Sequence, residues 1–285
     1  MNHQGYKTAA AGTILAAVFI FLTVFQMNAS KPQHPGLSKP DFAYPQKVID
    51  NARDVLSSLA EPQEKKMAAA IQLVIASNSI SADNAAGCAA LLDSLSTMAP
   101  KPYSALYAIL EARLYADIYS SDSWTFDSRA IPAGEQGDDP SAWSRANFID
   151  RCRSLTERAR KAADDAAETP LRDIAALLDK CDAISYLTIA DFIDYQTIDV
   201  MQTFYPGRGG DIIPFGGNAA GSASPVGDAY SRLIDRAVNA RNVQAMVLAV
   251  SRNAYATVPG PRRPAYLYDW ITRYRGSEYI APLIS

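Results

Sequence analysis

An all-α fold is what the chain predicts: antiparallel helix pairs in an α-solenoid or tetratricopeptide-like stack, following an N-terminal hydrophobic export segment. Three observations carry that expectation. Apolar residues recur at helical spacing from Val48 to Tyr274. Long alternating patterns that would signal strands are absent. The helical patterns are short and divided by brief breaks rich in proline or glycine, which suits stacked helix pairs better than a bundle with one core. The spacing between pairs is irregular, so no strict repeat is assigned.

At the N-terminus, Lys7 precedes an uncharged run from Thr8 to Phe25, TAAAGTILAAVFIFLTVF, and polar residues follow from Gln26. A cationic start, an apolar stretch and a polar exit make residues 1–29 a signal peptide or a retained N-terminal membrane anchor. The run approaches spanning length. The best small-residue cleavage position, before Ser30, carries Met27 where a small side chain is preferred. No cysteine follows the run to take a lipid, and residues 31–285 are expected in the periplasm or cell envelope. Residues 30–43, with Pro32, Pro35 and Pro40, read as a Pro-rich linker.

Residues 44–204 form the first helical domain. Pro45 suits a first helical turn, and Val48, Ala52, Val55, Leu56 and Leu59 give it one apolar stripe. Met67, Ile71, Val74 and Ile75 mark a second helix, and Ser81 opens a third with Ala85, Cys88, Leu92 and Leu95 on one side. The fourth, about Pro102 to Tyr119, is apolar on more than one face and is therefore central. Residues 122–140 read as a polar loop, followed by a fifth helix carrying Phe148, Cys152, Leu155 and Ala159. Asp173 to Leu178 suggests a short sixth helix, and Leu187 to Phe204 a seventh.

Residues 205–227 hold seven glycines and three prolines and read as a Gly-rich loop or hinge. Residues 228–285 carry further helical hairpins: one with Tyr230, Leu233, Ile234 and Ala237, one from Val243 to Tyr255, and one from Tyr266 to Tyr274. Gly276 to Ala281 looks like the opening of another helix, so the chain reads as the first piece of something longer.

The 285 residues are 48% hydrophobic and 20% charged, enough for a real core. There are 27 basic and 30 acidic residues; without Lys7 the exported part has 26 against 30, which points to no nucleic acid and no anionic lipid surface. The one basic concentration, Arg262, Arg263, Arg273 and Arg275, reads as a solvated helix flank. Cys88, Cys152 and Cys181 permit one disulfide among three pairings, but the helical spacing around Cys88 and Cys152 favours buried thiols acting as small hydrophobes.

Histidine narrows the chemistry. The only two are His3 and His34, outside the helical part, which excludes Ser-His-Asp and Cys-His catalysis and imidazole-bound zinc. Asp138-Asp139 and Asp164-Asp165 lack the spacing of a calcium loop and read as solvated turns. Gly207-Arg208-Gly209-Gly210-Asp211 lacks the Lys-Ser/Thr end of a phosphate-binding loop and places Asp211 where an anion would approach. No cofactor or metal site is expected, and no local signature marks the paired carboxylates of a glycoside hydrolase.

The segment Leu114 to Arg129, LYADIYSSDSWTFDSR, closes the fourth helix with two tyrosines and places Trp124 and Phe126 beyond its break. Tyr115, Tyr119, Trp124 and Phe126 are the candidate interaction surface, a groove for peptide or glycan. The competing reading packs these rings, with Tyr103, Tyr107 and Trp143, between adjacent helices and pins the loop.

Two further segments join it: Pro40 to Pro45, PDFAYP, and Ser185 to Phe204, SYLTIADFIDYQTIDVMQTF. On these three the chain resembles the N-terminal helical region of Bacteroides-type alpha-2-macroglobulin family proteins. The resemblance covers most of residues 40–205 and rests on no catalytic motif. It implies an envelope-located endopeptidase inhibitor whose full-length members trap proteinases by closing around them after a bait segment is cut. Some members also attach covalently through a Cys-Gln thioester. Here Ala133-Gly134-Glu135-Gln136 has alanine in the cysteine place, so no thioester can form there. The resemblance thus implies a non-enzymatic helical scaffold or docking module, with proteinases, through the full-length protein, or other envelope proteins as partners; the export segment meets the membrane only through residues 8–25, if it is uncleaved. A stand-alone envelope protein with an aromatic binding groove, and a helical hydrolase with two buried carboxylates, are the competing readings.

Overall fold

The computed structural model describes residues 43–78, 82–129, 139–164, 169, 188–204, 225–258 and 260–273. Ten α-helices and no strand occur among them, so the chain is all-α. The export run, the short helix at Asp173 to Leu178, Cys181 and the segment Gly276 to Ala281 lie outside the described residues, as do the linker up to Phe42 and the Gly-rich stretch from 205 to 224. Among the described residues, no helix is long and apolar enough to cross a membrane.

Helix α1, Pro45–Ser57, starts on its proline and buries Val48, Ile49, Ala52 and Leu56. Its cap residue Ser58 is extended, which turns Leu59 off the apolar stripe and leaves it 99% exposed. Helix α2, Gln63–Asn78, is apolar on two sides, with Met67, Ala70, Leu73 and Val74 buried. Helix α3, Ala82–Met98, turns Cys88, Leu92 and Leu95 inward.

Helix α4, Tyr103–Ser121, is rich in Ala and Leu, the strongest helix formers, and is buried continuously from Ser104 to Ala116. A helix hidden all round needs neighbours on every side. It has them in α2, α3, α6 (Arg145–Asp164) and α7 (Ile189–Thr203). Between α4 and α6 lies a short helix that the polar composition hides, α5, Ser123–Ser128. Asp122 makes it possible: its amide closes α4 on the Tyr119 carbonyl, and its own carbonyl accepts from Thr125 and Phe126 to open α5. A 3₁₀ turn, Pro140–Ala142, then leads into α6.

Side-chain caps set the starts of the later helices. Ser144 and Asn147 exchange bonds before α6. Thr188 and Asp191 form a reciprocal capping box at α7. Helix α8, Pro225–Asn239, begins three residues inside the expected 205–227 loop because Pro225 is tolerated in a first turn and Val226 is buried. Its end is a six-residue closure from the Asn242 amide to the Ala237 carbonyl, 2.8 Å, with Arg241 at φ 53. Asn242 also caps α9, Val243–Thr257, so one tight turn ends one helix and begins the next. Helix α10, Arg263–Arg273, follows a second 3₁₀ turn and buries no residue fully.

Successive helices pack: α1 on α2, α2 on α3, α3 on α4, α6 on α7, α7 on α8, α8 on α9 and α9 on α10. The apolar core is continuous from Val48 to Val250. Tyr266, Leu267 and Trp270 of α10 lean on its edge, half-buried.

Candidate functional site

The aromatic segment resolves into a core cluster. Tyr115, Tyr119 and Phe126 are 6%, 1% and 5% exposed, whereas Trp124 is 85% exposed. Tyr119 meets Phe126 at 6.2 Å, Phe148 at 5.8 Å and Phe204 at 4.8 Å between centroids, and Tyr115 stacks on Trp143 at 5.0 Å. Of the four-ring surface predicted above, only Trp124 therefore faces solvent. The cause is α5: one helical turn carries Phe126 into the junction of α4, α6 and the end of α7 and points Trp124, two residues earlier, the other way.

Polar bonds pin this corner. The Tyr119 hydroxyl donates to Asp127 at 2.7 Å. Arg129 lies over the Phe126 ring, 5.2 Å from its centroid, and donates to the carbonyls of Ser141 and Trp143. The Asp139 carboxylate accepts from the hydroxyl and amide of Ser141, which holds it below its ordinary range with Arg129 as a smaller influence.

Two buried charge clusters join helices far apart in the sequence. In the first, Glu111 of α4 is fully buried and receives Arg151 at 2.7 Å and Arg158 at 3.1 Å, both from α6. Arg158 also reaches Asp93 of α3 at 2.7 Å, so the cluster ties three helices. Burial outweighs the two arginines and pushes Glu111 up to about 7, Asp93 adding to the rise. Arg151 lies over the Tyr115 ring at 5.7 Å and is held protonated more firmly than usual by Glu111 despite its own burial. The neighbouring Cys152 thiol is buried, donates to the Ala112 carbonyl at 3.4 Å, and is pushed well up by burial and Glu111. Cys152 and Cys88 are both free thiols in the core.

In the second cluster, Asp194 of α7 takes Arg232 at 2.6 Å and Arg236 at 2.6 Å, both from α8. Asp191 uses one oxygen in its capping box and gives the other to Arg236 at 2.8 Å. Close by, Asp199 is raised by burial against the opposing pull of Arg113 and Arg252. Arg252 of α9 lies 5.2 Å over the Tyr195 ring of α7. The sequence holds a signal for the first cluster: a carboxylate inside a helix apolar on more than one face, flanked by Leu110 and Ala112, must find a cation.

The described residues also form an open groove of about 600 Å³ between the end of α3, the start of α4 and the outer half of α6. Ser96 and Thr97 line one wall, Ser154, Arg160 and Lys161 the other. Arg158 reaches from this groove to Glu111 beneath it. Among the described residues, no cluster of three metal-ligating side chains occurs; Asp138 and Asp165 lie outside them. Compared with family models, curated proteins and solved structures, the chain matches none.

Proposed function

We propose that this chain is a non-enzymatic helical scaffold or docking module, and that the body it serves is the envelope macroglobulin-like protease-trapping protein its sequence resembles. One observation carries the scaffold reading: the buried carboxylates of Glu111, Asp191 and Asp194 are each spent on arginines that join neighbouring helices. A catalytic carboxylate must meet substrate, and these three meet guanidinium groups inside helix interfaces. That arrangement disfavours the two-carboxylate hydrolase. The finer architecture in this proposal is the α-solenoid or tetratricopeptide-like stack, supported by the order in which each helix packs on the next. The stand-alone reading with an aromatic groove is the weaker one, since Tyr115, Tyr119 and Phe126 are core residues.

The test is made on the native envelope protein. Antibodies against residues 43–273 are used to isolate it, its mass is measured, and it is mixed with a general proteinase. The expected species is larger than the 30.8 kDa of this chain. It should also shield the proteinase from a large protein substrate while leaving a small chromogenic substrate accessible. A species no larger than this chain, with no such shielding, would sink the macroglobulin reading.

A further inference from the structure

The last hairpin of the described chain, α9 with α10, differs from the rest in charge and in cover. Residues 241–273 hold Arg241, Arg252, Arg262, Arg263 and Arg273 against one acid, Asp269, with no lysine and no glutamate, while the whole chain carries a net charge of −3. Tyr255, Tyr266, Tyr268 and Trp270 lie among these arginines. Arginine with tyrosine and tryptophan, and lysine and glutamate left out, is the composition of protein-binding surfaces.

The guanidinium groups are held without being neutralised. Arg263 donates to the carbonyls of Ala254 and Val258 at 3.0 Å each and of Tyr255 at 3.1 Å, and lies 5.0 Å over the Tyr255 ring. Arg273 lies 4.8 Å over the Trp270 ring. Carbonyls and ring faces fix the direction of a guanidinium and leave its charge in place. Arg262 and Arg273 are exposed, and among the described residues neither they nor Arg263 form an ion pair. Helix α10 is also thinly covered. It buries no residue fully, and Leu267, Trp270 and Ile271, at helical spacing on one side, are only half-buried, as are Val247 and Leu248 of α9. An amphipathic helix ordinarily hides such a row.

We propose that the α9–α10 hairpin docks an amphipathic helix of a partner protein, apolar on one side and rich in glutamate and aspartate on the other. The row Leu267, Trp270 and Ile271 seats the apolar side, as when a helix lies in a groove. Arg262, just before α10, and Arg273, at its end, receive the carboxylates. Helix α10 runs about 16 Å, so a partner helix of about three to four turns spans both arginines. A second copy of this chain is the poorer occupant, because a two-fold approach of the hairpin to itself sets arginines against arginines. An anionic bilayer is met by large apolar side chains that project outward; here the apolar row is recessed, and the large exposed rings are Tyr255 and Tyr268. This surface rests on the docking-module reading and uses nothing of the macroglobulin resemblance. A failed proteinase-shielding assay therefore leaves it standing, and failed docking leaves the shielding result standing.

The experiment is a titration of the full 285-residue chain, held in nanodiscs of zwitterionic lipid with empty nanodiscs as the blank. The probe is a labelled synthetic helix of about five turns, leucine on one side and glutamate on the other. Two counterparts carry glutamine or lysine in place of every glutamate. Anisotropy should report saturable binding of the acidic peptide, at least about tenfold weaker binding of the glutamine peptide, and none of the lysine peptide. The double variant Arg262→Glu with Arg273→Glu should weaken the acidic peptide at least about tenfold and restore binding of the lysine peptide. Both positions are exposed, and its circular dichroism should match wild type. Binding should shift tryptophan emission, and Trp270→Phe should abolish the shift while anisotropy still reports binding. No binding of the acidic peptide, undiminished binding by the double variant, or a shift that survives in Trp270→Phe would each overturn the proposal. So would self-association of the chain, or binding to anionic phospholipid vesicles, that the same double variant abolishes.

Discussion

Replacing Glu111 by glutamine tests the most unusual charge in the core. The carboxyl is fully buried and sits at about 7 where 4.5 is ordinary. Between those values the folded protein holds a proton that the unfolded chain has released. Stability must therefore fall as pH rises through that window, because the folded state binds more protons there. At about 1.4 kcal/mol per pH unit, the separation amounts to about 3 kcal/mol lost by the wild type above neutrality. Glutamine keeps the shape and cannot ionise, so in Glu111→Gln this contribution vanishes while all other titrating groups stay. Urea unfolding followed by circular dichroism, extrapolated to water at about pH 5 and about pH 8, measures it. Near pH 5 the two proteins should differ by under about 1 kcal/mol; near pH 8 the variant should have gained about 3 kcal/mol relative to wild type. The opposite ranking has a physical basis too. Were the attraction of Arg151 and Arg158 to exceed the cost of burial, the variant would be weaker near pH 8 by about 3–5 kcal/mol, as when a buried ion pair loses one partner. A pH-independent gap, or that reversed sign, refutes the reasoning.

Phe148→Ala removes a fully buried ring that touches Phe126 at 4.8 Å and Trp143 at 5.1 Å, and should lower unfolding stability by about 3–5 kcal/mol in the same urea assay. Trp124→Ala, two residues from the buried Phe126 but itself exposed, should change stability by less than about 0.5 kcal/mol. A large loss there would mean that the ring is covered in solution. Arg241→Gly relieves a side chain held at φ 53 in the turn between α8 and α9, and should raise stability by about 0.5–1 kcal/mol; a lower melting temperature would show the Arg241 side chain to matter more than its backbone strain.

Helix type and order were legible because apolar periodicity is a local property. The stripe Tyr230, Leu233, Ile234 and Ala237 is buried as its spacing demands, and α4 is central because apolar residues occupy more than one of its faces. Boundaries were less legible where a cap decides them. Leu59 continues the spacing of α1, yet the chain has already left the helix at Ser58. The composition of α5 reads as loop because Ser, Asp and Thr are weak helix formers; one residue, Asp122, acting as both terminator and starter, overrides that composition.

The polar architecture shows a different limit. Arginine is the recurring link between elements: Arg151 and Arg158 bind α6 to α4, Arg232 and Arg236 bind α8 to α7, and Arg145 bonds the Phe204 carbonyl beyond α7. In the sequence these residues look like ordinary solvated charge, because each sits on an amphipathic helix whose outer face is expected to be polar. What distinguishes them is the acid they meet on another helix, between 38 and 47 residues away for Arg232 with Asp194 and Arg158 with Glu111. Such pairing is a tertiary property, so only its acidic half leaves a trace, as Glu111 does amid Leu110 and Ala112. An acid in that setting is stable only if the fold brings a cation to it.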